Sequence, residues 1–241
     1  MKISLVLPAH NEEENIVILI PKVLGKYKKF FNEIIIVNDN STDNTKDAAL
    51  KLIKKYGKKI RLVNRSKPNG VGYALRDGIK NVGKSSDWVM TMDADFLDNV
   101  DDIERFIEKA KEGYDGVIGS RFLDSNSLVK YPFIKKISNR AYHFLLRATI
   151  PSLKLKDATN NFKLYKKEVF DSVNIKAGNF AANAETGLIP IIKGYKIVEI
   201  PVVWKQREHG KSTFKVFKLA PSYLKVYLRI IFEMLKAKLR V

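Results

Sequence analysis

Short runs of β-branched and apolar residues recur through the first 120 positions, each separated from the next by a stretch with helical amphipathicity. The runs are Ile3–Leu7, Glu33–Val37, Ile60–Val63, Trp88–Met92 and Gly116–Gly119. Helices are predicted between and after them, near 12–27, 42–56, 73–82 and 99–112. This alternation predicts an α/β fold: a mostly parallel central sheet with right-handed crossovers and helices on both faces. Ligands of such sheets bind beyond the carboxyl ends of the strands.

Polar clusters stand at those ends. Pro8-Ala9-His10-Asn11-Glu12 follows the first run, and Asn38-Asp39-Asn40-Ser41-Thr42-Asp43 the second. Asp93-Ala94-Asp95 follows the fourth and Gly119-Ser120-Arg121-Phe122 the fifth. Asp93 and Asp95 lie two apart at a strand end, so their side chains emerge on the same side. Two hard carboxylates there suit Mg²⁺ or Mn²⁺ with positions left open for pyrophosphate oxygens. With 14 aspartates in the chain, about one such spacing arises by chance, so its weight comes from its place after a strand. Asp39 is read as an acceptor for a nucleotide's base or ribose. Ser41 or Thr42 is read as a cap of the next helix, whose N-terminal dipole Asp43 favours. Asn69-Gly70-Val71-Gly72 opens a helix whose amides would face a phosphate, or it is a plain turn.

The 241 residues suffice for one α/β domain, and 45% hydrophobic content excludes a disordered chain. The absence of cysteine excludes disulfides and thiolate metal sites and suits a reducing compartment. The first residues do not form a signal peptide, and no stretch approaches 18 uncharged apolar residues, so no bilayer span is expected. The formal net charge of +18 attracts polyanions, phosphorylated substrates or anionic headgroups without choosing among them. No aromatic-basic signature or recognition helix supports nucleic acid as the partner.

From about 124 the pattern changes. A basic segment with Lys130, Lys135, Lys136 and Arg140 leads into a helix ending near Ile150. Asp157 to Phe162, a strand Lys163–Lys166, a helix over 184–193, a β-run Lys196–Trp204 and a charged loop Lys205–Lys211 follow. The chain is divided into a catalytic domain over 1–213 and an amphipathic helical segment over 214–241. In the latter, Pro221 is expected to start the main helix after a shorter piece over 214–219. Lys225, Arg229, Lys236 and Arg240 fall at helical spacing, a basic stripe on an otherwise apolar helix. It fits either the headgroup layer of a membrane or packing on the domain or a second copy.

Taken together, the ordered motifs resemble glycosyltransferase family 2. They are Pro8-Ala9-x-Asn11-Glu12, Val37-Asn38-Asp39-x-Ser41-x-Asp43, Asn69-Gly70-x-Gly72, Met92-Asp93-Ala94-Asp95 and Gly119-Ser120-Arg121-Phe122. Asp157-x-x-x-Asn161-Phe162-Lys163, Glu185, Ile200-Pro201-Val202-x-Trp204 and Arg207-Glu208-His209-Gly210-Lys211-Ser212 narrow the likeness to its dolichyl-phosphate mannose synthase-like, polyprenyl-phosphate hexose synthase group. The resemblance implies the GT-A nucleotide-sugar-binding fold and inverting transfer of a hexose to a polyprenyl or dolichyl phosphate. The implied donor is GDP-mannose, UDP-glucose or UDP-N-acetylglucosamine. Pro8, Ala9, Glu12, Asp39, Asp93, Ala94 and Asp95 would hold the nucleotide sugar, with Asp93 and Asp95 also on the metal. Arg121, Arg140, Arg207, Lys211 and Ser212 would take the acceptor phosphate, and Asp95, Asp157 and Arg207 carry the catalysis. Leu97 stands where relatives often have a metal-binding Gln, and Asn38 where many have Asp. The implied location is the cytoplasmic face of a membrane, attached peripherally. A glycan or other hydroxyl acceptor is the second enzymatic reading, and a polyanion-binding protein the non-enzymatic one.

Overall fold

The computed structural model describes residues 1–205 and 215–238. In chain order the elements are β1 (Ile3–Ala9), α1 (Glu13–Tyr27), β2 (Phe31–Asp39), α2 (Thr45–Tyr56), β3 (Ile60–Arg65), α3 (Val71–Lys80), β4 (Trp88–Thr91), α4 (Asp102–Lys111) and β5 (Gly116–Ser120). There follow β6 (Leu128–Val129), α5 (Phe133–Thr149), β7 (Lys163–Lys166), α6 (Lys167–Ser172), α7 (Ala182–Ile192), β8 (Ile197–Pro201), β9 (Trp204–Lys205) and α8 (Val216–Lys238). The expected run over 196–204 therefore resolves into two short strands.

Seven strands form one sheet in the order β3-β2-β1-β4-β7-β5-β8, and β6 pairs with β9 separately. Side chains alternate across the strands and split the core in two. Ile3, Leu5 and Leu7 of β1 with Ile34 and Ile36 of β2 pack against Ile16 and Leu19 of α1, Ala48 of α2 and Phe106 of α4. Val6, Ile35 and Val37 face the other way, onto Leu75 of α3, Leu146 of α5, Val169 of α6, Leu188 of α7 and Ile230 of α8. Near-continuous apolar strands covered on both faces are what a largely parallel sheet requires.

One strand breaks the parallel rule. β7 lies between β4 and β5 and is antiparallel to both, with Thr91 opposite Lys163 and Val117 opposite Leu164. Its beginning therefore sits at the edge where β4 and β5 end. Residues 157–161 are delivered to the rim by this reversal.

α8 is one helix with Pro221 inside it, which corrects the expectation that Pro221 begins it. The proline withholds the amide that would bond the carbonyl of Phe217, a residue 82% exposed and so open to solvent. Val226 and Ile230 are buried in the second core cluster. Arg229 departs from the expected lipid-facing basic stripe, because its guanidinium turns inward and pairs with buried Glu185 of α7. Lys225 stays exposed, Lys236 lies over the Phe232 ring, and Arg240 is outside the described residues.

Candidate active site

The first strand-to-helix turn is locked to the second. Asn11 has φ 57°, a left-handed conformation that Asn tolerates better than most residues. Its backbone amide donates to Ser41 Oγ at 3.0 Å, and Thr42 N donates to its Oδ1 at 2.8 Å. Ser41 and Thr42 thus hold this loop and do not cap α2. Asp43 does serve that helix, accepting from Thr45 N at 3.0 Å. Glu12 is buried, and its amide donates to Thr45 Oγ1 at 2.9 Å.

Asp39, at the end of β2, is 4% exposed. Its Oδ1 pairs with Arg65 of β3, and its Oδ2 accepts from Gly70 N at 2.6 Å. Arg65 is held in turn by Asp77 at 2.6 Å. The amides opening α3 do not face a phosphate, which corrects that alternative. Gly72 N and Tyr73 N both donate to the carbonyl of Gly178, at 3.0 and 3.3 Å. A Cβ on Gly72 would lie 2.1 Å from the Ala177 carbonyl, so glycine is what lets the two backbones meet.

After β4 the chain turns sharply, with Phe96 N donating to the Asp93 carbonyl at 3.2 Å and Leu97 N to that of Asp95 at 2.9 Å. Asp93 and Asp95 are partly buried, and Ala94 between them is buried. Leu97 packs against the first core cluster, away from any ligand role. Asp93 Oδ1 accepts from Asn161 Nδ2 at 2.7 Å. Among the described residues, no three His, Cys, Asp or Glu side chains gather into a metal cluster. A divalent ion here would draw on these two carboxylates and on uncharged oxygens.

At the end of β5, Arg121 spends Nε and Nη2 on the two oxygens of Asp157, at 2.6 and 2.9 Å, and its amide adds a third bond at 3.2 Å. Asp157 is fully buried and also accepts from Thr159 Oγ1 at 3.0 Å. Burial alone would raise its carboxyl pKa, but the charge and hydrogen bonds of Arg121 outweigh it and hold the group well below the usual carboxylate range. The same pairing raises the Arg121 pKa against the opposing effect of its own burial. Two residues assigned separately from the sequence, one to a phosphate and one to the reacting centre, are therefore a single neutralised unit.

Buried His143 of α5 braces that unit. Its Nδ1 donates to the Asn139 carbonyl at 2.9 Å, while Nε2 accepts from Ala158 N at 2.9 Å. Burial pushes its pKa down to about 4, and both bonds fit one neutral tautomer. Lys163, fully buried, bonds the carbonyls of Asn160 and Asn183, the latter at 3.2 Å, and burial lowers its pKa to about 7. Arg140 stacks 3.7 Å above the Phe122 ring and bonds the Lys156 carbonyl. Tyr131 lies edge-on to both Phe122 and Trp204, at 6.2 and 4.6 Å. Arg207, Lys211 and Ser212 fall outside the described residues.

The structure thus brings Pro8, Ala9, Glu12, Asp39, Asp93, Asp95, Arg121 and Asp157 to one edge of the sheet. Sequence reasoning missed Arg65, Asn139, His143 and the side-chain role of Asn161. Their signal was spatial: each acts on a rim residue from a different element.

A mostly parallel seven-stranded sheet with helices on both faces and a two-carboxylate turn at its rim has the GT-A architecture. A family model described as Glycosyl transferase family 2 matches residues 4–173, and the chain belongs to that family. It is 30% identical to a dolichol-phosphate mannosyltransferase of Pyrococcus furiosus over 98% of this chain, and it spans 64% of that protein's length. It is 24% identical to a polyprenol monophosphomannose synthase of Mycolicibacterium smegmatis, over 92% of this chain and 84% of the relative. A dolichyl-phosphate beta-glucosyltransferase of Trichomonas vaginalis is 28% identical over 93% of this chain and 72% of its own. Among solved structures, glucosyl-3-phosphoglycerate synthase of Mycobacterium tuberculosis, in complex with Mn²⁺, UDP-glucose and phosphoglyceric acid, superposes with a TM-score of 0.75. That match has 18% identity over 95% of this chain and 79% of the other, and it speaks for the fold.

Proposed function

We propose that this chain transfers a hexose, with inversion, from a nucleotide sugar to a polyprenyl or dolichyl phosphate. The observation that carries this reading is the state of Asp157. A hydroxyl acceptor needs a general base, because its own pKa lies far above neutrality. Asp157 is a poor base: it is buried, saturated with hydrogen bonds and held ionised by Arg121. A phosphate monoester needs no base, since its second pKa is about 6. One of its oxygens attacks the anomeric carbon, the bond to the donor's β-phosphate oxygen breaks, and the nucleoside diphosphate leaves with that electron pair.

Pro8, Ala9, Glu12 and Asp39 frame the nucleoside side, and Asp93, Ala94 and Asp95 the pyrophosphate side. The carboxylates of Asp93 and Asp95, with a buried amide oxygen of Asn161 that has no hydrogen-bond partner, form a donor set of hard oxygens suited to Mg²⁺ or Mn²⁺. There these oxygens would hold an ion that would supply charge neutralisation for the departing diphosphate. Arg140, with Arg207, Lys211 and Ser212, is assigned to the acceptor phosphate, where cations offset repulsion between two anionic reactants. Arg121 fixes Asp157, and the pair orients the sugar.

The acceptor's source is a membrane surface, and two helices are built to meet one. α5 exposes Phe133, Ile134, Ile137, Phe144 and Leu145, and α8 exposes Phe217, Leu224, Leu228, Phe232 and Leu235. The two helices contact each other, and Lys136, Lys215, Lys218 and Lys225 lie exposed on or beside them. Apolar side chains with flanking lysines suit the headgroup layer of anionic bilayers. No helix among the described residues is long and apolar enough to cross one.

The test is a panel of radiolabelled GDP-mannose, UDP-glucose and UDP-N-acetylglucosamine, each with polyprenyl phosphate or free polyprenol and with Mg²⁺ or Mn²⁺. Label should enter the organic phase with one donor and only with the phosphate. Transfer to free polyprenol, or to a soluble glycan alone, would overturn the reading.

A further inference from the structure

We propose that Asn161 supplies a third protein oxygen to the divalent-cation site through its side-chain carbonyl, an inference that rests on reading Asp93 and Asp95 as the cation's carboxylates. The antiparallel ladder pairs Thr91 with Lys163, and continuing it two residues sets Asp93 opposite Asn161. Asn161 is 2% exposed, and its backbone is pinned by Thr91 Oγ1, which donates to its carbonyl at 2.6 Å. The side-chain amide donates from Nδ2 to Asp93 Oδ1 at 2.7 Å, while its Oδ1 is buried and meets no donor. An acceptor left in that state costs about 1–3 kcal/mol, so the amide gains when that oxygen turns toward a partner that arrives.

The two ends of an amide exchange places by a half-turn about Cβ–Cγ, a soft torsion. After that turn, a carbonyl oxygen lies where the N–H group was, facing the Asp93 carboxylate at the same separation. Two such oxygens repel unless a cation joins them. In an octahedral Mg²⁺ or Mn²⁺ site with ligands at about 2.1 Å, neighbouring ligands lie about 3 Å apart. The Asn161–Asp93 separation matches that edge. The amide therefore serves two states: it donates to Asp93 when no cation is bound, and it shares the cation with Asp93 when one is. Since Leu97 points into the core, this is how the chain adds a protein ligand without adding charge.

The experiment uses the full chain labelled with ¹³C-asparagine, loaded with Mn²⁺ and either GDP or UDP, and read by electron–nuclear double resonance. A ¹³C coupling from a carbon about 3 Å from the metal is expected, the distance set by a bound carbonyl. It should vanish in Asn161→Asp, which carries no label at that position. Counting free Mn²⁺ by electron paramagnetic resonance, Asn161→Leu should weaken binding about tenfold, the lower end of what ligand-shell losses cost. The labelled wild-type measurement stands even where Asn161→Leu melts early. If Mn²⁺ binds and is lost in Asp95→Asn, yet every ¹³C coupling comes from beyond about 4.5 Å, the amide is not a ligand and this inference alone fails. If wild type binds no Mn²⁺ with either nucleotide, or Asp95→Asn binds as well as wild type, the carboxylate reading fails and takes this one with it.

Discussion

Arg229 of the C-terminal helix and Glu185 of α7 form an ion pair whose carboxylate is 1% exposed. The other oxygen of Glu185 accepts from Lys176 N and Ala177 N, each at 2.9 Å, and Arg229 Nη2 donates to the Asn174 carbonyl at 3.0 Å. The same loop continues to Gly178, whose carbonyl receives the amides that open α3. The helix proposed to meet lipid is thus tied through one loop to the turn that opens α3 beside Asp39.

Removing one partner of that pair is expected to cost about 3–5 kcal/mol, because a buried carboxylate loses its counter-charge. Arg229→Ala should therefore lower the urea midpoint steeply. The double change Glu185→Gln with Arg229→Met should recover much of the loss. Equal destabilisation by the single and double changes would show that the charge pair is not what holds α8.

Asp157→Asn replaces an acceptor with an amide half of which repels Arg121. Turnover is expected to fall about a hundredfold or more, the scale of a small misplacement at a reacting centre. In the wild type, an acid limb in the pH profile should belong to the acceptor phosphate. It should move upward when a phosphonate of higher pKa replaces the phosphate. A limb that stays fixed would assign the titration to the protein.

His143 couples folding to pH. Its folded pKa is about 4, below the value of about 6.5 in an unfolded chain. Between those values the unfolded chain binds a proton that the native site refuses, so its contribution is whole above about pH 6.5 and drains away as pH falls toward 4. The full span is up to about 3 kcal/mol. Melting temperature should drop between pH 7 and pH 5, and His143→Gln should flatten that slope while lowering the pH 7 value.

Phe144 is 73% exposed and Leu228 59% exposed, so charging them costs the fold little. Losing two large apolar contacts with lipid, each worth about 1.5–3 kcal/mol, should reduce co-sedimentation with anionic vesicles more than tenfold. Phe144→Glu with Leu228→Glu should leave nucleotide binding and melting temperature unchanged. Undiminished vesicle binding would locate the lipid contact elsewhere.

The first half of the molecule was legible because its information is local. Runs ending at Leu7, Val37, Met92 and Gly119 lie within two residues of strands that end at Ala9, Asp39, Thr91 and Ser120. The direction of β7 was not legible, since a four-residue strand, Lys163–Lys166, carries no sign of which way it pairs. Without it, Asn161 beside Asp93 and Asp157 beneath Arg121 could not be foreseen. Arg229 shows the same limit on a helix: spacing places it on a face with Lys225, but only packing reveals that Glu185 draws it inward. The pairing of Asp39 with Arg65 was invisible for a similar reason, as 26 residues separate them.

The reversed strand between β4 and β5 also dictates an order of assembly. β5 has no neighbour in the sheet until β7 or β8 exists, because β7 is what joins it to β4. A growing chain that has reached residue 150 can pair β1 through β4, yet its fifth strand must wait unpaired. Pairing over such sequence distances is slow and leaves edges exposed meanwhile. The half of the sheet built on β1 to β4 can therefore pair before the half built on β5, β7 and β8. Asp93 after β4 can meet Asn161 only once β7 has entered the sheet, so the rim is complete no earlier than the sheet itself.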